Sequence, residues 1–141
     1  MRAMALVVIA TLAACGRMIN HDEHAAAREA EEFGRLAFVA KDFASAYQHL
    51  TAQARSSSSL AEVSTLIDQM HKDGYPESIR ATQFEPMPGQ ASMLIFLIGE
   101  NGSSKFYYRF ALVGTASEGY HVGGLWRGSG PYPTSPTRRD L

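Results

Sequence analysis

The stretch QASMLIFLIGENGSSKFYYRFALV, residues 90–113, consists of two apolar runs separated by Asn101-Gly102. Asn-Gly between apolar runs is the strongest short hairpin signal, because a two-residue type I′ turn requires positive φ at both central positions. The sequence therefore predicts an antiparallel hairpin with strands at Gln90–Gly99 and Ser104–Val113.

A turn at Asn101-Gly102 places Ile95 opposite Tyr108 and divides the side chains of the hairpin between two faces. We expect one face to pack against the helices, with Val122 and Trp126 joining it from a later strand. Its members within the hairpin are Met93, Ile95, Leu97, Phe106, Tyr108 and Phe110. The opposite face carries Leu94, Phe96, Ile98 and Tyr107, and it is more apolar than a solvated sheet face normally is.

Further strands are predicted on both sides of this hairpin. One covers Ser78–Glu85 and is closed by Pro86, and the other covers Tyr120–Arg127. Gly123-Gly124 does not match a phosphate-binding loop, and glycine late in a strand more often marks a bulge or a bend.

Three helices are predicted before the first strand. The first runs from about Asp22 to Ala40, where apolar residues recur at helical spacing. Asp42 is suited to cap the second helix, the polar segment Thr51–Ser58 is predicted to be a loop, and Ser59-Leu60-Ala61-Glu62 has the form of a capping box that starts the third helix. The prediction is an α+β fold, with N-terminal helices packed on a curved antiparallel four-stranded sheet.

The N-terminus has the pattern of a bacterial lipoprotein signal. Arg2 precedes the apolar run Ala3–Leu12, which has the length of a secretory signal rather than of a spanning helix. Leu12-Ala13-Ala14-Cys15 resembles the lipobox, in which the Cys is lipidated and becomes the first residue of the mature protein. Gly16 stands where Asp would indicate retention at the inner membrane. We therefore expect a lipoprotein of the cell envelope, held in the outer membrane through Cys15 and facing the periplasm. The alternative is a plain cleaved signal peptide that leaves a free thiol.

The chain thus divides into a signal peptide (residues 1–14), a tether (15–21), an α+β domain (22–128) and a tail (129–141). The tail contains Pro131, Pro133 and Pro136, and we expect it to lack fixed structure.

Composition excludes several kinds of site. Loss of Arg2 with the signal leaves 12 basic residues against 14 acidic ones, so the chain has no charge footprint for nucleic acid. Cys15 is the only cysteine, and its lipidation would leave none for a disulfide, a cysteine-based zinc site or a nucleophile. His21 and His24 lie three residues apart without a third ligand, so we predict no metal and no cofactor.

The order of three helices and then an antiparallel sheet ending in Gly119-Tyr120-His121-Val122-Gly123-Gly124-Leu125-Trp126 resembles the nuclear transport factor 2-like superfamily. The similarity covers roughly residues 22–127, with Asp42 where that superfamily begins its second helix. It implies a cone-shaped domain. Enzymes of the superfamily place Asp, Tyr or His inside the cone, and no such set matches here, so no catalytic residue is predicted.

Two functions remain open. The first is a non-catalytic lipoprotein whose domain binds a partner protein or a small apolar ligand. The second is a small isomerase- or dehydratase-like enzyme, with Tyr47, Glu85, Tyr108 or His121 as the polar groups of the pocket. An apolar cavity without converging titratable groups would favour the first, and a pocket holding His121 and a carboxylate would favour the second.

The apolar outer face of the hairpin suggests where a partner would bind. Leu94, Phe96, Ile98, Tyr107 and Leu125 are the candidate interface residues, and the outer sheet face of the resembled superfamily often forms a dimer interface. We expect a second copy of the chain or an envelope protein to cover this face. The alternative is that the helices or the Pro-rich tail fold over it.

Overall fold

The computed structural model describes residues 18–141, so the predicted signal peptide and the lipidation site Cys15 lie outside the described residues. The described chain has an α+β fold, as predicted, with the helices preceding the strands. The helices are α1 (Glu23–Gly34), α2 (Phe43–Tyr47), α3 (Ala52–Ser57) and α4 (Leu60–Met70), and the strands are β1 (Ser78–Pro86), β2 (Ser92–Asn101), β3 (Ser104–Thr115), β4 (Gly119–Gly128) and β5 (Arg139–Asp140). Among these described residues, no helix is both long and apolar enough to cross a bilayer.

The strands form one antiparallel sheet in the order β4-β3-β2-β1-β5. The predicted count of four is therefore wrong, because the end of the chain returns as β5 and pairs with β1 through Gln83 and Phe84. The sheet is open, with β4 and β5 at its two edges within the described chain. The cone shape implied by the resemblance is not confirmed.

The predicted β2–β3 hairpin is present, but its turn is displaced by one residue. Asn101 pairs with Ser104, so Gly102-Ser103 forms the turn, and Ile95 faces Phe110 instead of Tyr108. Gly102 has φ +58°, whereas Ser103 is not among the residues with positive φ. Positive φ at the first central position alone is the pattern of a type II′ turn, which favours glycine there.

The helix-facing side of the hairpin is the one predicted. A displacement of the turn by one residue moves the pairing by two positions, and two positions preserve the side to which each residue points. The six predicted inner residues are all buried: Met93, Ile95, Leu97, Phe106, Tyr108 and Phe110. They pack against Ala26, Ala30, Phe33, Ala37 and Phe38 of the first helical segment.

A bulge in β4 changes which of its residues face the helices. Ala111 pairs with Gly124 while Leu112 pairs with Val122, so Gly123 is an extra residue in β4. Val122 is buried on the helix side, as predicted. Beyond the bulge, Leu125 pairs with the inner residue Phe110, and Trp126 pairs with the outer residue Arg109. The prediction of Trp126 as an inner residue is wrong, and Leu125 does not belong to the outer face.

The helix starts follow the predicted caps. Asp22 and Asp42 each accept a hydrogen bond from a backbone N–H of the following turn, and Ser59 and Glu62 form the reciprocal capping box. After α1 the chain continues as a π-helical turn, Arg35–Val39, so the first helical segment ends close to the predicted Ala40. The prediction of a loop at 51–58 is wrong, because Thr51 caps the short helix α3.

The Pro-rich tail is ordered against the outer face of the sheet, contrary to the expectation from its composition. The ring of Tyr132 packs edge-on against Phe96 with centroids 5.6 Å apart, and the guanidinium of Arg138 lies 3.7 Å from the centroid of the Phe96 ring. Ser135 donates a 2.7 Å hydrogen bond to Glu85, and the backbone N–H of Leu141 donates to the Thr82 carbonyl. Aromatic, ionic and strand-pairing contacts together hold a segment that proline content alone marks as disordered.

Candidate functional site

A groove of about 800 Å³ lies at the β4 edge of the sheet, where α3, α4 and the β1–β2 loop meet the ends of β2, β3 and β4. We call it the β4-edge groove. The chain reaches this edge just before α3, where the Thr51 N–H donates to the Val122 carbonyl and the Val122 N–H donates to the His49 carbonyl. These bonds pair the chain with β4 at Val122, and α3, which follows, forms one wall of the groove.

The residues that line the β4-edge groove carry no titratable side chain. They come from α3 and its start, from α4, from the β1–β2 loop and from β2, β3 and β4. They are Leu50, Thr51, Ala52, Gln53, Ala54, Ser57, Ser58, Val63, Leu66, Met87, Gln90, Ser92, Ala111, Val113, Gly123, Gly124 and Leu125. Such a lining can bury apolar surface and offer neutral hydroxyl and amide groups, but it holds no acid, base or charged group.

The two glycines of the β4 bulge let neighbouring side chains pack directly against the strand. A Cβ at Gly123 would lie 2.7 Å from Cγ2 of Val113, and a Cβ at Gly124 would lie 2.7 Å from the ring of Trp126. Side chains at these two positions would therefore displace neighbouring groups. The bulge also places Leu125 among the lining residues.

The start of the described chain is fixed beside the β4-edge groove. Nε2 of His21 lies 3.0 Å from the carbonyl oxygen of Gln90, which is a lining residue, and Nδ1 lies 3.1 Å from the Tyr120 hydroxyl. The carbonyl of Asn20 accepts a 2.9 Å hydrogen bond from the Ala116 N–H in the β3–β4 turn. The segment predicted to be a tether thus reaches the domain next to the groove.

Exposed apolar side chains lie along this part of the surface. Leu66 is 46% exposed, and Val113 and Trp126 are also exposed. Leu66 and Leu125 also line an adjoining hollow of about 570 Å³, together with Trp126 and Lys105. The groove and the hollow thus share two residues, and together they extend along much of β4.

The five candidate interface residues do not form one free surface. Leu94, Ile98 and Tyr107 are half-buried on the outer face, whereas Phe96 is only 5% exposed beneath the tail. Leu125 lies on the opposite face because of the β4 bulge. The tail, which was the alternative cover named from the sequence, takes the position that a partner was expected to take over Phe96.

The four polar residues considered for an enzyme are not brought together. Tyr47 donates to the carbonyls of Arg55 and Ser58 and ties α2 to α3. His121 is exposed on β4, and Glu85 accepts hydrogen bonds from Ser135 and Thr137 on the outer face. The same bonds lower the pKa of Glu85 and favour its carboxylate form.

The fourth, Tyr108, belongs to a buried polar cluster that the sequence did not indicate. Nε2 of His71 lies 2.7 Å from the Tyr108 hydroxyl, and Nδ1 lies 2.7 Å from the Ile67 carbonyl. The carbonyl can only accept, so Nδ1 carries the proton and Nε2 accepts from Tyr108. Burial lowers the pKa of His71, which is 3% exposed, and raises that of Tyr108.

An ion pair closes this cluster toward solvent. Arg127 binds both carboxylate oxygens of Asp73, at 2.6 and 2.7 Å, and its guanidinium lies 4.7 Å from the centroid of the Phe106 ring. The hydrogen bonds from Arg127 lower the pKa of Asp73 to about 2. Tyr75 stacks on His71 with ring centroids 4.4 Å apart. None of its residues lines the β4-edge groove, whereas Asp73 and Arg127 line the adjoining hollow.

Within residues 18–141, no group of three or more His, Cys, Asp or Glu side chains is arranged to hold a metal ion. Comparisons with family models, with curated proteins and with solved structures found no match to this chain.

Sequence reasoning missed both the β4-edge groove and the His71 cluster. The groove is formed by residues distant in sequence, and only Gly123-Gly124 signalled it, as a bulge. The burial of His71 has no sequence signal, because it depends on the rings of Phe38 and Tyr108, which are distant from it in sequence.

Proposed function

We propose that this chain is a non-catalytic lipoprotein of the bacterial cell envelope and that its domain binds a small apolar ligand in the β4-edge groove. One observation carries the proposal: a groove of about 800 Å³ is lined by 17 residues, none of them titratable. This volume lies in the range of small-molecule sites, which are mostly apolar with a few polar groups.

The anchoring part of the proposal rests on Leu12-Ala13-Ala14-Cys15, which lies outside the described residues. A lipobox with the chain's single Cys supports lipidation at Cys15, and Gly16 supports an outer-membrane location facing the periplasm. The test is growth with an alkyne analogue of palmitate, with the Cys15→Ser variant as control. Label on the wild-type protein and none on the variant is expected, and equal label on both would refute anchoring through Cys15.

An enzymatic function has less support than a binding function. Acid–base catalysis requires titratable groups within hydrogen-bond reach of a substrate. The groove offers none, and Tyr47, Glu85, Tyr108 and His121 are occupied or placed apart from one another. We therefore propose that the domain binds its ligand without transforming it.

The relation to the nuclear transport factor 2-like superfamily remains a hypothesis. The order of helices before a single antiparallel sheet supports this hypothesis, whereas the open sheet gives no support for the cone shape. A homodimer or an envelope partner on the outer face has weaker support than ligand binding, because the tail already covers Phe96.

Binding in the groove can be tested with Nile red, a neutral apolar dye whose fluorescence rises on leaving water. The soluble domain, residues 18–141, is titrated beside two variants of α4. Leu66→Glu puts a charge into the groove and should weaken dye binding about tenfold, which corresponds to about 1.4 kcal/mol.

Leu60→Glu is the matched control, because Leu60 is also exposed on α4, at 38%, but does not line the groove. Dye binding equal to that of the wild type is expected for this variant. If Leu66→Glu also binds the dye like the wild type, the ligand site is not the β4-edge groove.

A further inference from the structure

We propose that the ligand of the β4-edge groove is an acyl chain of a membrane phospholipid, taken from the bilayer in which Cys15 is anchored. This inference rests on the proposed function and names the chemical class and the source of its ligand. Three features of the described chain carry it: the chemistry of the lining, the position of the tether and the exposed apolar residues along β4.

The lining is mainly apolar, its polar groups are neutral hydroxyls and amides, and such a lining can accept an unbranched hydrocarbon. An acyl chain has no hydrogen-bonding groups and requires no polar partner, and the groove supplies Leu50, Val63, Leu66 and Leu125 for apolar contact. No Lys or Arg lines it, so it has no cation for a phosphate or a free carboxylate. The headgroup therefore remains outside the groove while the chain enters it.

The tether keeps the groove close to the membrane. His21 is hydrogen-bonded to Gln90 at the groove, and six residue steps separate it from Cys15. Six residues span at most about 20 Å even when fully extended. A lipid on Cys15 therefore keeps the backbone of His21, whose side chain contacts the groove at Gln90, within about 20 Å of the anchored residue.

The surface around the groove suits a membrane interface. Leu66 and Trp126 are exposed and both line the adjoining hollow, together with Lys105 and the Asp73–Arg127 ion pair. In water, such a patch is unfavourable, whereas Trp is enriched at the level of lipid headgroups and Lys is attracted to anionic lipids. A domain that rests on the bilayer with this surface would present the groove to the acyl chains.

The experiment uses the processed, acylated protein in vesicles of phosphatidylethanolamine and phosphatidylglycerol. The vesicles contain a trace of phosphatidylethanolamine with a photoactivatable diazirine at the end of one acyl chain. After illumination, mass spectrometry locates the lipid adducts. Adducts are expected on the peptides that contain Ala54, Leu66 and Met87, and Leu66→Glu should reduce them about tenfold while Leu60→Glu leaves them unchanged.

Two results would overturn the inference. The first is adducts that avoid the groove or that are equally abundant in both variants. The second is labelling of the groove in non-acylated residues 18–141 supplied with the same vesicles but not in the acylated protein, since the lipid on Cys15 itself would then be the occupant. The proposed function is judged separately: an acylated protein whose groove binds Nile red but takes no lipid adduct retains that function and loses this inference.

Discussion

Replacing Tyr132 by Ala should destabilise the domain by removing the main contact between the tail and the sheet. Tyr132 is half-buried and packs edge-on against Phe96 at 5.6 Å. Full burial of an aromatic side chain contributes ~1.5–3 kcal/mol, so a half-buried ring contributes roughly 1 kcal/mol. An edge-on aromatic pair adds about 0.5–1.5 kcal/mol. The expected loss in the free energy of unfolding is therefore roughly 2 kcal/mol, measured by urea denaturation of residues 18–141.

Tyr132→Phe is the control that separates the ring from its hydroxyl. The Tyr132 hydroxyl is buried and has no hydrogen-bond partner among the described residues. Removing a buried polar group that has no hydrogen-bond partner leaves the free energy of unfolding unchanged or raises it, because folding then no longer desolvates that group. Tyr132→Phe should therefore be at least as stable as the wild type. A Tyr132→Ala variant that unfolds at the wild-type urea concentration would mean that the tail is not held against Phe96.

Three further predictions follow from the same structure. Gly102→Val should lower the free energy of unfolding by roughly 1–2 kcal/mol, because Gly102 has φ +58° and a β-branched residue is disfavoured there. Gly102→Asn should lower it less, because Asn tolerates positive φ. An unchanged urea midpoint for Gly102→Val would mean that the turn lies elsewhere. Burial, and to a smaller extent the charge of Arg127, lower the pKa of His71 below its ordinary 6.5. The unfolded chain therefore binds a proton at this residue more readily than the folded chain does. The free energy of unfolding should be at its full value above pH 6.5 and should fall as the pH drops below it. Urea melts across this range should show a shallower pH dependence for His71→Gln, and an identical dependence would rule out His71 as the group responsible. Phe96→Ala should lower the free energy of unfolding by about 3 kcal/mol or more, because it removes a buried ring and leaves a cavity. If this variant has the same denaturation curve as the wild type, Phe96 is not part of a packed layer.

The division of the hairpin into two faces could be predicted because it depends only on the alternation of side chains along a strand, which has a period of two residues. The turn was placed one residue too early, yet Met93, Ile95 and Leu97 are buried on the expected side. A displacement of the turn moves the register by an even number of positions and leaves every side chain on its face. The helix caps at Asp22, Asp42 and Ser59 were equally local and equally predictable.

The tail could not be predicted because its order depends on contacts distant in sequence. Pro131, Pro133 and Pro136 give the composition of a disordered end. Its order comes instead from Tyr132 and Arg138 on Phe96 and from the bonds of Ser135 and Thr137 to Glu85. None of these pairs has a sequence signal. The apolar outer face of β2 did signal that something must cover it, but it did not indicate which segment.

The bulge at Gly123 explains the largest error of the sequence prediction, and it lies in the wall of the candidate site. One extra residue moves Leu125 to the helix side and Trp126 to the outer side, so any alternation counted through β4 fails beyond Gly123. The same two glycines let Val113 and Trp126 pack against the β4 backbone, and Leu125 lines the groove. A regular β4 would have no extra residue, and side chains at these positions would meet their neighbours. The departure from strand periodicity thus coincides with the candidate site, since Gly123, Gly124 and Leu125 all line the groove.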